Sequence, residues 1–189
     1  MRVVLVGQPN VGKTLLLINF AAYLGCNEIV KDAHPPDRLS LERSRRECVS
    51  YVAHKHVVPL RASLNPGKST ETSLVLVDTP GIMEGVPGEA RQRRAMASSL
   101  EELFYAQMIL LVIDGGLSTV SPLDDALMGL ATRIAPTLIV LNKADVRRFQ
   151  PSAHRDHFAA SPVLAISALT RRGFRDLKQR LYALWEAQS

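Results

Sequence analysis

The chain has 189 residues, of which 47% are apolar and 22% charged, and Lys plus Arg exceed Asp plus Glu by 23 − 18 = +5. These values are typical of a globular protein and exclude a disordered or fibrous one. A chain of this length suits a single hydrophobic core, so we predict one domain over residues 1–189. The excess of positive charge permits an anionic partner without identifying it.

Cysteine usage and hydropathy predict a cytoplasmic protein. Cys26 and Cys48 are the only cysteines, and they lack the spacing of a zinc site or a disulfide framework. The longest apolar stretches, such as 108–113, fall far short of the roughly 18 residues that a membrane-spanning helix needs. A glycine and polar residues follow Val6, which is not the layout of a signal peptide. We therefore expect no transmembrane segment.

Short apolar runs alternate with helical patterns along the chain. Each run is too short and too continuous for an amphipathic helix and is typical of a buried parallel strand. The alternation predicts an α/β fold with helices on both faces of one mostly parallel sheet. In chain order we predict a strand at 3–6, a helix at 13–24, a strand at 74–77, a helix at 88–106, strands at 109–113 and 138–141 with a helix at 123–133 between them, a strand at 163–166 and a helix at 174–187.

The stretch between the first helix and residue 77 departs from this alternation. Residues 26–55 show no clear strand pattern and only a possible short helix near 40–49, and long irregular segments are usually functional or mobile. The runs 57–64 and 72–77 flank a turn signature and predict a β-hairpin, hence one antiparallel strand. Because Pro59 cannot donate a ladder hydrogen bond, we expect 57–64 at the sheet edge.

The segment after the first strand matches the phosphate-binding pattern G-x-x-x-x-G-K-[ST], and it lies between a strand and a helix as that pattern requires. Gly7 and Gly12 let successive N–H groups point inward, and the helix dipole favours an anion there. Lys13 is expected to contact the β- and γ-phosphates, and the Thr14 hydroxyl a magnesium ion. The nucleotide contacts predicted in this loop are Gln8, Asn10, Val11, Gly12, Lys13, Thr14 and Leu15.

A second polar turn, "DTPG" at 78–81, follows the strand that ends at residue 77. Asp78 is placed to reach the magnesium ion through water, and the Gly81 N–H to approach the γ-phosphate. An aspartate that ends a strand before Pro-Gly is also common in ordinary turns. This segment alone therefore does not establish a nucleotide site, and the other motifs decide its interpretation.

Two further segments select the base. In "NKAD", at 142–145, the ionised Asp145 carboxylate is purely an acceptor and can take both N1–H and N2–H₂ of guanine, a donor pair that adenine lacks. Asn142 would support this loop, and the Lys143 stem would lie along the base. In "SAL", at 167–169, the Ala168 N–H is expected to donate to guanine O6. The predicted base contacts are Asn142, Lys143, Asp145, Ser167, Ala168 and Leu169.

The segments "GQPNVGKT", "DTPG", "NKAD" and "SAL" cover nearly the whole chain and stand in the order of the P-loop GTPases. The chain resembles that family and, within it, the Era-like branch that includes the cytosolic G domain of the ferrous-iron transporter. The resemblance implies about six strands with one antiparallel strand at the edge. It also implies slow hydrolysis of GTP to GDP, with residues 26–55 leading into switch I and residues 81–96 as switch II.

The chain departs from this family in switch I. A family threonine closes over magnesium there, but no threonine lies between Thr14 and Thr70. Residues 53–56 occupy the corresponding position, and His56 is the closest match, although magnesium prefers oxygen ligands. Ser50, a backbone carbonyl or a switch that senses γ-phosphate loosely are the alternatives. His54 and His56 can equally be exposed residues beside an edge strand.

A second departure concerns the attacking water. Ile82 follows Gly81, where the Ras branch carries a water-orienting glutamine. Family members with this replacement often use K⁺, held partly by the asparagine that is Asn10 here, although Pro9-Asn10 is also a good turn pair. The resemblance thus implies catalytic roles for Asn10, Lys13 and Gly81.

Partners are indicated by residues 81–96, which combine three glycines, one proline and three arginines. Such a segment suits a mobile switch that contacts a protein effector. Clustered arginine also permits RNA or the ribosome, but aromatic residues are only 5% of the chain and offer little for base stacking. A nucleotide-dependent dimer is compatible with the resemblance. The rival functions are a guanine-nucleotide-dependent scaffold without hydrolysis and an adenine-specific P-loop enzyme, against which Asp145 argues.

Overall fold

The computed structural model describes residues 1–26, 28–31, 37–40, 54–60 and 72–187. It confirms the predicted α/β class, and each of the four predicted helices agrees with the structure to within two residues at either end. The strands are β1 (Arg2–Val6), β2 (Glu28–Lys31), β3 (Asp37–Ser40), β4 (His54–Leu60), β5 (Thr72–Asp78), β6 (Met108–Asp114), β7 (Thr137–Asn142) and β8 (Val163–Ala165), and the helices are α1 (Lys13–Tyr23), α2 (Ala90–Phe104), α3 (Pro122–Ile134), α4 (Pro151–His157) and α5 (Phe174–Glu186).

Within the described ranges, the main sheet has six strands in the order β4-β5-β1-β6-β7-β8. All neighbours pair in parallel except β4, which pairs antiparallel with β5 at the sheet edge. This edge strand begins three residues earlier than the predicted 57–64 and is described as far as Leu60, whereas residues 61–64 lie outside the described residues. Pro59 of β4 lies opposite Ser73, and β4 is the terminal strand of the sheet formed by the described residues.

Helices cover both faces of the sheet because its central strands are apolar on both sides. Every residue of β7 is buried, and β6 is buried from Met108 to Ile113. On one face, α1 and α5 pack through Phe20 and Phe174, whose rings meet edge to face at 5.4 Å. On the other face, Leu103 of α2 and Leu127 of α3 join the second core cluster. The predicted placement of helices on both faces is confirmed.

Two parts of the described structure were not predicted. Within residues 26–55, β2 and β3 form a separate antiparallel pair in which Glu28 lies opposite Ser40. Their mixture of charged and apolar residues hides the strand period. Helix α4 has only seven residues and begins at Pro151, so it is too short to show a helical period. Most of the possible helix at 40–49 lies outside the described residues.

The parallel arrangement determines where a ligand can bind. The carboxyl ends of β1, β5, β6, β7 and β8 meet along one edge, which is where open α/β sheets bind ligands. The segments "GQPNVGKT", "DTPG", "NKAD" and "SAL" lie at this edge, at the ends of β1, β5, β7 and β8. Among the described residues, no helix has the length and apolar character needed to cross a bilayer.

Candidate functional site

The loop from Gly7 to Thr14 packs tightly against β6 and Asn142 at the carboxyl end of β1. Gly7 and Gly12 have φ of +150° and +93°, and Asn10 has φ of +62°. A Cβ at Gly7 would lie 2.2 Å from the Val112 carbonyl oxygen, and one at Gly12 would lie 2.5 Å from Asn142 Nδ2. Both glycines are therefore required by close packing of the loop on β6 and on Asn142.

Lys13 is held in this loop by backbone carbonyls. Its side chain is 6% exposed, and its ammonium donates to the carbonyl oxygens of Gly7 at 3.0 Å and Gln8 at 2.8 Å. Burial lowers the pKa of Lys13 to about 8, and the nearby Asp78 carboxylate opposes that shift. The loop thus holds an incompletely solvated cation in a fixed position, which favours an anionic ligand.

Thr14 and Asp78 meet below the loop. The Thr14 hydroxyl donates to Asp78 Oδ2 at 2.6 Å, and Asp78 is fully buried. Burial raises the pKa of Asp78 to about 6, against the opposing effects of the Thr14 hydrogen bond and the Lys13 charge. Within the described part of the chain, Asp78 Oδ1 has no hydrogen-bond partner. Two adjacent oxygens, one of them on a buried carboxylate, suit a hard divalent cation such as Mg²⁺.

The turn after Asp78 is fixed from two sides. Thr79 Oγ1 donates to the Leu5 carbonyl at 2.6 Å, and the buried Ser99 of α2 donates to the Pro80 carbonyl at 2.9 Å. Sequence reasoning assigned no role to Thr79 or Ser99, because neither bond is visible without knowing which elements pack together. Gly81 touches the phosphate loop so closely that a Cβ there would lie 2.6 Å from the Pro9 backbone. The structure therefore places the Gly81 backbone directly beside the loop.

Asn142 connects the phosphate loop to the base-recognition loops. It is 2% exposed, and its Nδ2 donates to the Val11 carbonyl at 2.8 Å. Its Oδ1 accepts from the Ala168 N–H, also at 2.8 Å. The N–H that the sequence assigned to guanine O6 thus has a protein partner in this structure. The carbonyl of Ala168 is held as well, since the buried Asn19 donates to it at 2.7 Å.

Lys143 is held by a carboxylate that sequence reasoning missed. Its ammonium lies 2.6 Å from Asp114 Oδ2, and Asp114 Oδ1 accepts from the Gly116 N–H at 2.9 Å. Lys143 has φ of +66°, an uncommon conformation for a lysine. The position of Asp114 could have indicated this role, because it ends β6 directly beside Asn142 at the end of β7.

Asp145 is exposed at the rim of the site and is oriented by Ser167. The Ser167 hydroxyl donates to Asp145 Oδ1 at 2.5 Å and accepts from the Thr170 N–H at 3.0 Å. Ser167 is fully buried, so this serine positions the carboxylate from beneath. Leu169 is 65% exposed.

Several residues that the sequence predicted as nucleotide or magnesium contacts lie in the hydrophobic core or in β4. Val11 is buried, with only 5% of its surface exposed, and it belongs to the core cluster on the α1 side. Leu15 packs against the same cluster. His54 and His56 lie within β4, where His54 is opposite Asp78 and His56 is opposite Leu76. The backbone register therefore brings His54, rather than His56, nearest to Asp78. Ser50 and Thr70 lie outside the described residues.

Comparison with known proteins identifies relatives of the whole chain. A family model described as "50S ribosome-binding GTPase" matches residues 40–143. The tRNA modification GTPase MnmE of Xylella fastidiosa is 33% identical over 182 residues, which are 96% of this chain and 33% of that protein. The chain therefore spans about a third of the length of this curated relative.

Two solved structures have the same fold. The structure of an Aquifex aeolicus Era variant bound to GDP·AlF4⁻ matches with a TM-score of 0.70 and 21% identity, over 97% of this chain and 56% of that one. The G domain of the T. maritima FeoB iron transporter matches with a TM-score of 0.59 and 17% identity, over 97% of this chain and 98% of that one.

Proposed function

This chain belongs to the 50S ribosome-binding GTPase family as a small P-loop G domain of Era-like type, and on that premise we propose that it binds GTP and hydrolyses it slowly to GDP and phosphate. The observation that carries the proposal is the pair of hydrogen bonds made by Asn142. They join the phosphate loop to the Ala168 loop, so one buried side chain holds the phosphate end and the base end of a single nucleotide site.

The phosphate end is assigned to Lys13, Gly81 and the phosphate loop. Lys13 is already held by two backbone carbonyls. Its ammonium can therefore contact the β- and γ-phosphates with little further loss of side-chain entropy. The Gly81 backbone lies against Pro9, which supports the proposed approach of its N–H to a γ-phosphate. Related intrinsic turnover rates are of order 10⁻⁴ to 10⁻² per second.

Thr14 and Asp78 fit Mg²⁺. Both offer oxygen, the cation would find the unpartnered Asp78 Oδ1, and its charge would offset the cost of burying that carboxylate. When bound, Mg²⁺ neutralises charge on the β- and γ-phosphate oxygens. With a pKa of about 6, Asp78 is mostly ionised at neutral pH, and the Thr14 hydroxyl donates to it.

The base end is assigned to Asp145. This carboxylate is exposed, and its Oδ1 is oriented by Ser167, so the group can accept from N1–H and N2–H₂ of guanine. Lys143 is held near the same loop by Asp114. Adenine would leave the Asp145 carboxylate opposite an acceptor.

The test combines base selection with turnover. Asp145→Asn should weaken GTP binding about tenfold to a hundredfold and improve xanthosine triphosphate, because the new amide can donate to the additional carbonyl of xanthine. Asp156→Asn removes an exposed carboxylate on α4 and is the control with the same charge. Unchanged GTP affinity in Asp145→Asn would refute the base assignment.

A second candidate is a guanine-nucleotide-dependent scaffold that hydrolyses little or no GTP. The observation that favours it is Ile82, which is 2% exposed, belongs to the core and donates its N–H to the Gly7 carbonyl. This residue cannot orient an attacking water. Phosphate release from GTP under single-turnover conditions separates the two candidates, because a scaffold would bind GTP and release no phosphate.

Potassium is the proposed substitute for the missing glutamine. Asn10 is exposed at the mouth of the phosphate loop with φ of +62°, a position from which its side-chain oxygen can help to hold a cation. We expect faster GTP turnover in potassium than in sodium, and Asn10→Ala should remove most of the difference. Equal rates in the two salts would exclude this role for Asn10.

Partners are proposed at switch II and α2. Arg91, Arg93 and Arg94 are exposed there, and Arg93 donates to the carbonyls of Pro87 and Gly88. The family description and the name of the MnmE relative support RNA or the ribosome as partner classes. The resemblance to P-loop GTPases also leads us to propose a protein effector and a nucleotide-dependent dimer.

A further inference from the structure

The side chain of Gln8 binds away from the phosphate loop. Its Nε2 donates to the Ser121 hydroxyl at 2.6 Å, across 113 residues of sequence. Ser121 precedes α3 and caps that helix, since its oxygen accepts from the Asp124 N–H at 3.0 Å. This hydrogen bond joins the phosphate loop to the start of α3, the helix that follows β6 in the chain.

The direction of this hydrogen bond is set by the neighbouring carboxylate. The Ser121 hydroxyl donates to Asp124 Oδ2 at 2.9 Å, and Asp124 is 2% exposed. A serine hydroxyl has one hydrogen to donate. Because Ser121 uses it in the hydrogen bond to Asp124, its oxygen can only accept a hydrogen bond from Gln8. The buried carboxylate therefore makes the glutamine amide, and not its carbonyl, the group that contacts the serine.

The other end of Gln8 contacts Lys13. The Gln8 carbonyl accepts from the Lys13 ammonium at 2.8 Å, which is the shorter of the two hydrogen bonds that fix this cation. One residue thus holds Lys13 with its backbone while its side chain is held by Ser121. Displacing the Gln8 backbone would displace the ammonium that faces the phosphates.

We propose that Gln8, Ser121 and Asp124 form a tether that positions Lys13 for phosphoryl transfer, with Gln8 as a positioning residue rather than a catalytic one. The tether rests on the proposed GTPase activity and deepens it. The sequence analysis predicted Gln8 only as a nucleotide contact, whereas the structure gives its side chain a protein partner, Ser121.

The experiment measures kcat and KM for GTP in Gln8→Ala, Ser121→Ala and the double variant. Gln8→Ala should lower kcat about tenfold with a smaller change in KM, because a misplaced ammonium costs most where charge develops during transfer. Ser121→Ala should give a similar loss, and the double variant no further loss. Ser121→Thr keeps the hydroxyl and should stay within about twofold of wild type, as should Gln179→Ala on the exposed surface of α5.

Two readouts separate positioning from stability. Ser121→Ala also removes the cap of α3 and should lower the melting temperature more than Gln8→Ala does, so equal losses of kcat with unequal melting temperatures indicate the tether. Gln8→Ala should also release fluorescent GDP about fivefold faster, which needs no hydrolysis.

The tether is overturned if Gln8→Ala retains wild-type kcat and GDP release, or if the two single losses multiply in the double variant. Wild-type turnover is measured in the same assay. Its absence would count against the proposed function, whereas unchanged GDP release in Gln8→Ala would count against the tether alone.

Discussion

The two ends of the site hold their charges in different ways. At the phosphate end, Lys13 is 6% exposed and Asp78 fully buried, and burial moves the pKa of each toward neutrality. At the base end, Asp145 is exposed, and the Lys143 side chain is 34% exposed beside Asp114. Ligand binding at the first end would relieve charges that are poorly solvated, whereas at the second end it would use charges that Ser167 and Asp114 already orient.

The largest effect should come from removing the buried carboxylate. Asp78→Asn should lower Mg²⁺-dependent GTP hydrolysis more than about a hundredfold, because the neutral amide cannot offset a divalent charge. The same variant should stabilise the nucleotide-free protein at pH 7.5 by about 1–3 kcal/mol, since the pKa of Asp78 rises on folding from 3.8 to about 6.

The sign of that stability effect gives a control. A carboxyl whose pKa is raised in the folded state favours folding fully below its unfolded pKa, and that contribution is lost as pH rises through about 6. The gain from Asp78→Asn should therefore shrink between pH 7.5 and pH 4. Thermal melts at both pH values measure it, with Asp156→Asn for comparison. A gain that is independent of pH would contradict the buried charge.

The same two groups predict a bell-shaped pH profile for kcat/KM, which reports groups in the free enzyme. Activity should fall below about pH 6 as Asp78 is protonated, and above about pH 8 as Lys13 loses its proton. On each side the decline approaches tenfold per pH unit. Asp78→Asn should abolish the acid limb in any residual activity. A flat profile from pH 5 to 9 would mean that neither buried group governs binding.

At the base end, smaller losses are expected. Ser167→Ala should weaken GDP about fivefold, because Asp145 loses the hydroxyl that orients it and exposure to water limits the cost. Ser152→Ala on the exposed surface of α4 is the matched control. Titration calorimetry with GDP measures the difference, and a hundredfold loss would show that Ser167 supports more than one carboxylate.

The smallest effect should come from Asp114→Asn, which keeps a hydrogen-bond acceptor beside Lys143 but removes the ion pair. Since this pair is partly exposed, we expect only a twofold to threefold loss of GDP affinity. Asp156→Asn again matches the change in charge. A gain in affinity would show that Asp114 competes with the ligand for the Lys143 ammonium.

Sequence reasoning recovered what depends on local pattern. The phosphate loop and the strands of the parallel sheet were predicted because glycine spacing and continuous apolar runs are visible along the chain. The partners of Asn142, Lys143 and Gln8 were not predicted, because each lies more than a hundred residues away or at the end of another strand. The edge strand begins three residues before the predicted 57 because residues 54–56 are polar and do not continue the apolar run from which the strand was predicted.

The measurement that tests the account most directly is the affinity of the wild-type protein for GDP and for ADP, determined by titration calorimetry in the presence of Mg²⁺. Both ligands offer the same phosphates to Lys13, and only guanine offers the donor pair that Asp145 accepts. We predict that GDP binds at least about a hundredfold more tightly than ADP. Equal affinities, or a preference for ADP, would contradict the assignment of the base end.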